Sequence, residues 1–110
     1  MFTRVCKADT VPEGGMRLVI ADSHLIILAW PDSGEIKAFH GVCPHAATPL
    51  AEAEFDGTVL TCPLHFWTWD LKTGQPIHEH AIPLAEYPVQ VAEGIIYIDT
   101  EGVSPQFVPP

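Results

Sequence analysis

Hydrophobic residues in this chain occur in short segments separated by turn signals, a pattern typical of β-strands. The turn signals include three pairs: Asp22-Ser23, Asp56-Gly57 and Glu93-Gly94. Between them, no segment keeps a 3.6-residue hydrophobic period over the length that a stable α-helix needs. The stretch 49–55 has the most helical composition, but it is long enough only for a turn or two. We therefore predict an all-β fold.

Two β regions follow from the pattern of hydrophobic positions. Three early segments are spaced to form an antiparallel meander: Met16 to Ala21, His24 to Trp30 and Glu35 to Phe39. Later, the segment 87–91 alternates hydrophobic with other residues, which is the period of a half-buried strand, and 95–99 can return beside it. Because Pro88 has no amide hydrogen, we expect this later strand at a sheet edge.

Length and charge limit the functions that the chain can perform. Its 110 residues, 47% of them hydrophobic, fit one domain over 1–110 and leave no room for an oxygenase or reductase module. A formal net charge of -9 argues against nucleic-acid binding, because phosphates repel an acidic surface, and favours a basic protein partner. We expect a monomer that forms transient complexes.

The first residues and the cysteine count indicate a compartment. Charged side chains interrupt the first twenty residues, so these lack the apolar stretch of a secretory signal, and no run of about 18 apolar residues predicts a membrane span. The chain has three cysteines, an odd number that does not suit disulfide stapling. We therefore predict a cytoplasmic protein whose thiols serve metal or redox chemistry.

The composition changes in the insertion 42–74, where a cysteine and a histidine, both metal-ligand types, occur close together twice. Cys43-Pro44-His45 is followed, after sixteen residues, by Cys62-Pro63-Leu64-His65. Pro44 and Pro63 stiffen the two loops. We expect these loops at the tips of adjacent hairpins, where two thiolates and two imidazoles would suit tetrahedral zinc or a [2Fe-2S] cluster. Common Cys2His2 zinc modules group their cysteines first, whereas each loop here carries one cysteine and one histidine.

This spacing resembles the Rieske iron–sulfur signature, and Pro49-Leu50, Trp69-Asp70 and Gly74 are similar to family positions as well. The resemblance implies a Rieske-type antiparallel β-sandwich with a cluster-binding subdomain and one [2Fe-2S] cluster. It places Cys43 and Cys62 on the inner iron, and His45 and His65 on the outer, more exposed iron. In this chain Leu64, Trp67 and Trp69 occupy positions that supply hydroxyl or cysteine groups in high-potential members, so we expect a reduction potential of about -150 mV.

The residues after the second histidine, His65-Phe66-Trp67-Thr68-Trp69-Asp70, are similar to the ferredoxin component of toluene-type multicomponent diiron monooxygenases. That resemblance implies an electron carrier, not an enzyme, which takes electrons from an NADH-dependent flavin and iron–sulfur reductase. It would pass them to the diiron hydroxylase that oxidises an aromatic or alkene substrate. The alternatives are a ferredoxin of a ring-hydroxylating dioxygenase, a small subunit of nitrite reductase, and, in another class, a zinc-stabilised binding module.

Other residues of metal-binding or docking type have simpler interpretations. We interpret Cys6 as a core thiol, His40 as a polar residue at a strand end, and Trp69 as core packing. Trp67 lies nearer the predicted cluster, and both core packing and a docking contact are open for it. A self-contained oxygenase would need a second metal site, typically two histidines and a carboxylate. The segment 78–80 contains these residue types, but a strand would place the two histidines on one face and the glutamate on the other.

Overall fold

The computed structural model of the chain describes residues 1–32, 34–42, 50, 53–62, 68–77 and 84–103. Within these ranges the regular secondary structure is β, apart from the 3-10 turn at Ala8–Thr10 and Leu50, which also has 3-10 geometry. The strands are β1 Thr3–Lys7, β2 Met16–Ala21, β3 His24–Ala29, β4 Lys37–His40, β5 Glu54–Phe55, β6 Val59–Thr61, β7 Thr68–Asp70, β8 Gln75–Pro76, β9 Glu86–Tyr87, β10 Val89–Ala92 and β11 Ile95–Ile98. Their pairings are antiparallel, which confirms the predicted fold class. In the same ranges, no helix is long and apolar enough to cross a membrane.

The strands form three sheets. A three-stranded outer sheet has the order β1-β11-β10, a four-stranded central sheet has the order β2-β3-β4-β9, and a four-stranded loop-bearing sheet has the order β5-β6-β7-β8. The predicted meander is confirmed as β2, β3 and β4, with Val19 opposite Ile26 and Ile27 opposite Phe39. A tight turn joins β2 to β3, and it requires positive φ at Asp22, a conformation that aspartate tolerates better than most residues.

The predicted strand over 87–91 is divided between two sheets. Tyr87 in β9 pairs with Ala38 at one edge of the central sheet, whereas Val89 in β10 pairs with Ile98 at one edge of the outer sheet. Pro88 lies between them, where its missing amide hydrogen breaks no ladder, and its carbonyl accepts a hydrogen bond from the Asp99 amide at 3.1 Å. The edge position expected for this proline is therefore confirmed, and the proline marks where the chain changes sheets.

Strand β3 of the central sheet is buried on both faces. Ile26 and Leu28 of β3 pack into an outer core against the outer sheet, while Ile27 and Ala29 pack into a loop core against the loop-bearing sheet. All four side chains are at most 1% exposed. A strand that is buried on both sides reads as a continuous apolar run, which explains why β3 shows no alternation in the sequence.

The stretch 49–55 forms a turn and then a strand. The Ala53 amide donates to the Leu50 carbonyl at 3.1 Å, and Glu54 and Phe55 then pair with β6. The predicted helical turn is therefore short, since strand pairing takes the residues that follow it. Residues 49, 51 and 52 lie outside the described ranges, as does the tail after Val103, for which we expect an irregular course. A single domain over 1–110 stays a prediction.

Gly74 and Gly94 provide a test of packing at matched backbone geometry. Their φ angles are +77° and +76°, but a Cβ at Gly74 would lie 3.1 Å from the Phe39 ring, whereas a Cβ at Gly94 would meet nothing within 4 Å. Gly94→Ala should lower the free energy of unfolding by about 1 kcal/mol through backbone strain alone. Gly74→Ala should lower it by about 2–3 kcal/mol, because the buried Phe39 must also move. Urea denaturation measures both, and equal losses would contradict the packing argument.

Candidate metal centre

One of the four predicted cluster ligands lies within the described part of the chain. Cys62 directly follows β6, is 0% exposed and forms no disulfide. The other three predicted ligands, Cys43, His45 and His65, lie outside the described residues, as do Pro44, Pro63 and Trp67. Among the described residues, no three histidine, cysteine or acidic side chains gather at a metal site. The ligand set therefore stays a prediction.

The second loop, 62–67, joins two paired strands. Thr61 of β6 lies opposite Thr68 of β7, so the antiparallel pair closes the loop at its base. β8 continues the sheet on the far side of β7, where the Ile77 amide donates to the Thr68 carbonyl at 2.9 Å. This loop connects a hairpin, as the sequence predicts.

The first loop is closed in a different way. It leaves β4 in the central sheet and returns to β5 in the loop-bearing sheet, two strands that are not paired with each other. Among the described residues, a hydrogen bond from the Leu50 amide to the Gly41 carbonyl at 2.8 Å closes its base. The Gly41 amide in turn donates to the Leu25 carbonyl at 2.8 Å. The first loop is thus held by the central sheet through Gly41.

Both loop bases are anchored in one hydrophobic core. Leu50 from the end of the first loop and Cys62 from the start of the second are each 0% exposed, and both belong to the loop core with Leu60 and Trp69. The structure therefore brings together the end of the first loop and the start of the second.

The buried thiol fits a metal cluster. A thiolate in apolar surroundings costs free energy unless an opposite charge compensates it, and bound iron or zinc provides that charge. Cys6 is different, because it lies half-buried in β1 and packs against the outer core. The described cysteines therefore divide into one at a loop base and one in a distant strand. The interpretation of Cys6 as a packing residue is consistent with this position.

Two further signature positions shape the turn after β7. Trp69 is 0% exposed, which confirms its interpretation as core packing. The Asp70 side chain accepts a hydrogen bond from the Lys72 amide at 2.9 Å, and the Asp70 carbonyl accepts one from the Gly74 amide at 2.7 Å. The Trp69-Asp70 pair and Gly74 therefore stabilise the sheet that carries the second loop.

The sequence does not reveal one polar cluster near the first loop. His40, the last residue of β4, lies with its Nδ1 3.3 Å from the Tyr87 hydroxyl, which also lies 2.9 Å from Nδ1 of His24. Burial, followed by the charge of His24, lowers the pKa of His40, so its imidazole is neutral at pH 7. His40 is at a strand end as expected, but it belongs to a part-buried hydrogen-bond network with Tyr87 and His24. No sequence spacing signals these three residues.

Comparisons with known proteins agree with this geometry. The family described as "Rieske [2Fe-2S] domain" matches residues 1–88. The ferredoxin component of the alkene monooxygenase system of Xanthobacter autotrophicus is 31% identical, covering 91% of this chain and 82% of the relative. The 3-phenylpropionate/cinnamic acid dioxygenase ferredoxin subunit of Escherichia coli K12 is 36% identical, covering 91% and 94%.

A solved structure has the same fold. It is a chain of the complex of reduced oxygenase and oxidised ferredoxin in carbazole 1,9a-dioxygenase, with a TM-score of 0.79, 26% identity, and coverage of 91% of this chain and 94% of that chain. The resemblance predicted from the cysteine and histidine spacing is thus confirmed. The chain belongs to the Rieske [2Fe-2S] domain family, and its cofactor is a Rieske-type [2Fe-2S] cluster.

Proposed function

We propose that this protein is a one-electron carrier that takes electrons from an NADH-dependent reductase and delivers them to an oxygenase. The observation that carries the proposal is the buried, disulfide-free Cys62 at the base of a loop in a Rieske chain. The relatives described above are ferredoxins of oxygenase systems and match nearly the whole of this chain. When bound, the cluster supplies a site that accepts one electron and gives it up again.

The proposed ligands are Cys43 and Cys62 on the inner iron, and His45 and His65 on the outer iron. The complete burial of Cys62 supports its place on the inner iron. Two ferric ions, two sulfides and two thiolates sum to a charge of about zero, whereas four thiolates would give about -2. Neutral imidazoles therefore make electron uptake easier than in a cluster with four cysteines.

We propose a diiron hydroxylase as the electron acceptor. The sequence His65-Phe66-Trp67 supports it, as does the similarity to an alkene monooxygenase ferredoxin. A ring-hydroxylating dioxygenase is the second candidate. Higher identity to a dioxygenase ferredoxin subunit favours it, as does the fold shared with a chain of an oxygenase–ferredoxin complex.

A reconstitution experiment separates the two acceptors. The holoprotein is mixed with NADH, a purified flavin reductase and either a diiron hydroxylase or a ring-hydroxylating dioxygenase, and product is measured per NADH oxidised. We expect coupled product formation with the diiron hydroxylase. Coupling with the dioxygenase alone would make the dioxygenase the favoured electron acceptor. Coupling with neither enzyme would contradict the proposed carrier role.

The dependence of electron delivery on salt tests the charge argument. With a formal net charge of -9, the protein should associate faster with a basic docking face at low ionic strength. Between about 0.05 and 0.5 M salt the second-order rate of electron delivery should fall roughly tenfold, because the screening length shrinks to a few ångströms. Stopped-flow kinetics measures this rate. A rate that is independent of salt would show that charge does not guide docking.

A further inference from the structure

An open groove lies at the margin of the outer core, between strand β10 and the connection from β3 to β4. Its volume is about 660 Å³, which is within the usual range of ligand-binding sites. We call it the β10 groove, and the lining residues that matter below are Asp9, Trp30, Glu35, Ile36, Val89 and Val91. Since most of these side chains are apolar, the groove fits an apolar group.

Hydrogen bonds hold both walls of the β10 groove in place. On one side, the Trp30 indole nitrogen donates to the Gly34 carbonyl at 3.1 Å, which fixes the ring. On the other side, the Ala8 amide donates to the Gly94 carbonyl at 2.8 Å, so the turn that carries Asp9 is tied to the outer sheet. A partner that binds between walls already ordered loses less conformational entropy than one that must order them.

One apolar residue of the groove is open to water. Val91 is 49% exposed, although it lies on the same face of β10 as Val89, since residues two apart on a strand point the same way. Val89 and Ile36, in contrast, pack against the outer core. The groove therefore continues the outer core to the surface, and a partner that covers Val91 removes apolar surface from water.

Two carboxylates line the same groove. Asp9 and Glu35 are both exposed, and no lysine or arginine is among the described residues that line it. Of the cations nearby in sequence, Lys37 forms an ion pair with Glu86 at 3.5 Å, and Lys7 lies in β1 without lining the groove. Negative charge beside apolar surface is complementary to a lysine or arginine that is next to an apolar residue.

The β10 groove lies at the end of the fold opposite the bases of the two loops. Ile36 precedes β4 and Gly41 follows it, so about 16 Å of strand separates the groove from the base of the first loop, at about 3.3 Å per residue. The Asp32 amide, two residues after Trp30, donates to the Gly57 carbonyl in the β5–β6 turn, whereas the second loop begins after the other end of β6. A segment bound in the groove therefore leaves both loop bases uncovered.

We propose that the β10 groove binds a basic, partly apolar segment of the oxygenase that receives the electrons, while the two loops face the body of the same oxygenase. The proposal rests on the proposed function, which makes an oxygenase the electron acceptor. An extended segment of about ten residues spans roughly 33–36 Å, which is enough to pass from the groove beyond the loop bases. Because the second contact is then intramolecular, two weak contacts together hold the complex more tightly than either alone.

Calorimetric titration of the holoprotein with the reductase and with each of the two oxygenases of the reconstitution tests the proposal. Asp9→Asn and Glu35→Gln each remove one exposed charge, and each should weaken binding to the oxygenase about two- to fourfold, since exposed ion pairs contribute modestly. Val91→Thr keeps the branched shape but adds a hydroxyl to the apolar wall, and should weaken binding by a similar factor. Electron delivery at saturating concentration should keep its wild-type rate, because these positions are distant from the loops.

Glu101→Gln is the matched control, because it makes the same charge change at an exposed residue that contacts the amino terminus and does not line the groove. It should bind the oxygenase as wild type does. Unchanged binding in the three groove variants, equal weakening in Glu101→Gln, or weakening toward the reductase alone would overturn the proposal. If a variant loses its cluster, the other two decide.

The same measurements separate this proposal from the carrier role. Groove variants that bind and couple as wild type does would remove the groove contact and leave the carrier role in place. A wild-type protein that neither binds an oxygenase nor couples NADH oxidation to product would contradict both.

Discussion

Cys62→Ser is expected to abolish cluster assembly. A serine hydroxyl stays protonated near neutral pH and does not replace a thiolate on iron, so one of the four proposed ligands is lost. The substituted residue would also leave a hydroxyl in a site that is 0% exposed. We expect iron content and visible absorbance to fall to less than about one tenth of the wild-type values, because three ligands do not hold the cluster through purification. Metal analysis and absorption spectroscopy measure both.

Cys6→Ser is the matched control for this loss. Cys6 lies half-buried in β1, in the outer sheet, and packs against the outer core rather than the loop core. The Cys6→Ser variant should therefore keep the wild-type iron content. A Cys62→Ala variant checks that the loss does not come from an unsatisfied buried hydroxyl, which costs about 1–3 kcal/mol. Full cluster content in both Cys62 variants, or loss of the cluster in Cys6→Ser, would contradict the proposed ligand role of Cys62.

Trp69→Ala should produce the largest loss of stability among single core substitutions. Trp69 is 0% exposed, lies opposite Leu60 on β6 and Pro76 on β8, and shares the loop core with Cys62. Its removal leaves a cavity that is expected to cost about 3–5 kcal/mol of unfolding free energy. Because the same core anchors both loop bases, the variant should also release iron earlier in a urea titration. Circular dichroism and cluster absorbance, followed together, measure the two effects.

Trp30→Ala is the control for this substitution. Trp30 packs half-buried at the margin of the outer core, where its Nε1 donates to the Gly34 carbonyl at 3.1 Å. We expect a smaller loss, about 1–2 kcal/mol, since less surface is buried and one hydrogen bond is lost. Cluster release should track global unfolding, as in wild type. A Trp69→Ala protein as stable as Trp30→Ala would contradict the role of Trp69 in anchoring the loops.

The fold was predictable where its signals are local. The meander follows from hydrophobic segments and the turn at Asp22-Ser23, and the structure confirms it. The change of sheets at Pro88 was not predictable, because alternation continues across it and only tertiary pairing separates β9 from β10. The closure of the first loop by Gly41 and Leu50 likewise depends on contacts between sheets that no local pattern encodes.

The candidate site was predictable where the spacing of cysteines and histidines along the sequence indicates a metal centre. Two short motifs, each with one cysteine and one histidine, identified the family and its cofactor. The polar cluster of His24, His40 and Tyr87 was not predictable, because Tyr87 lies 63 residues from His24 and 47 from His40 and the fold alone brings them together. The expected low reduction potential depends partly on Leu64 and Trp67, which lie outside the described residues, and stays a prediction.

Iron and acid-labile sulfide analysis of the purified protein, with a reductive titration of the same sample, tests the central claim most directly. A Rieske electron carrier must hold about two irons and two sulfides per chain and take up about one electron. We expect this stoichiometry for the wild-type protein and its loss in Cys62→Ser. One zinc per chain with no sulfide and no electron uptake would contradict the claim and leave a zinc-stabilised module.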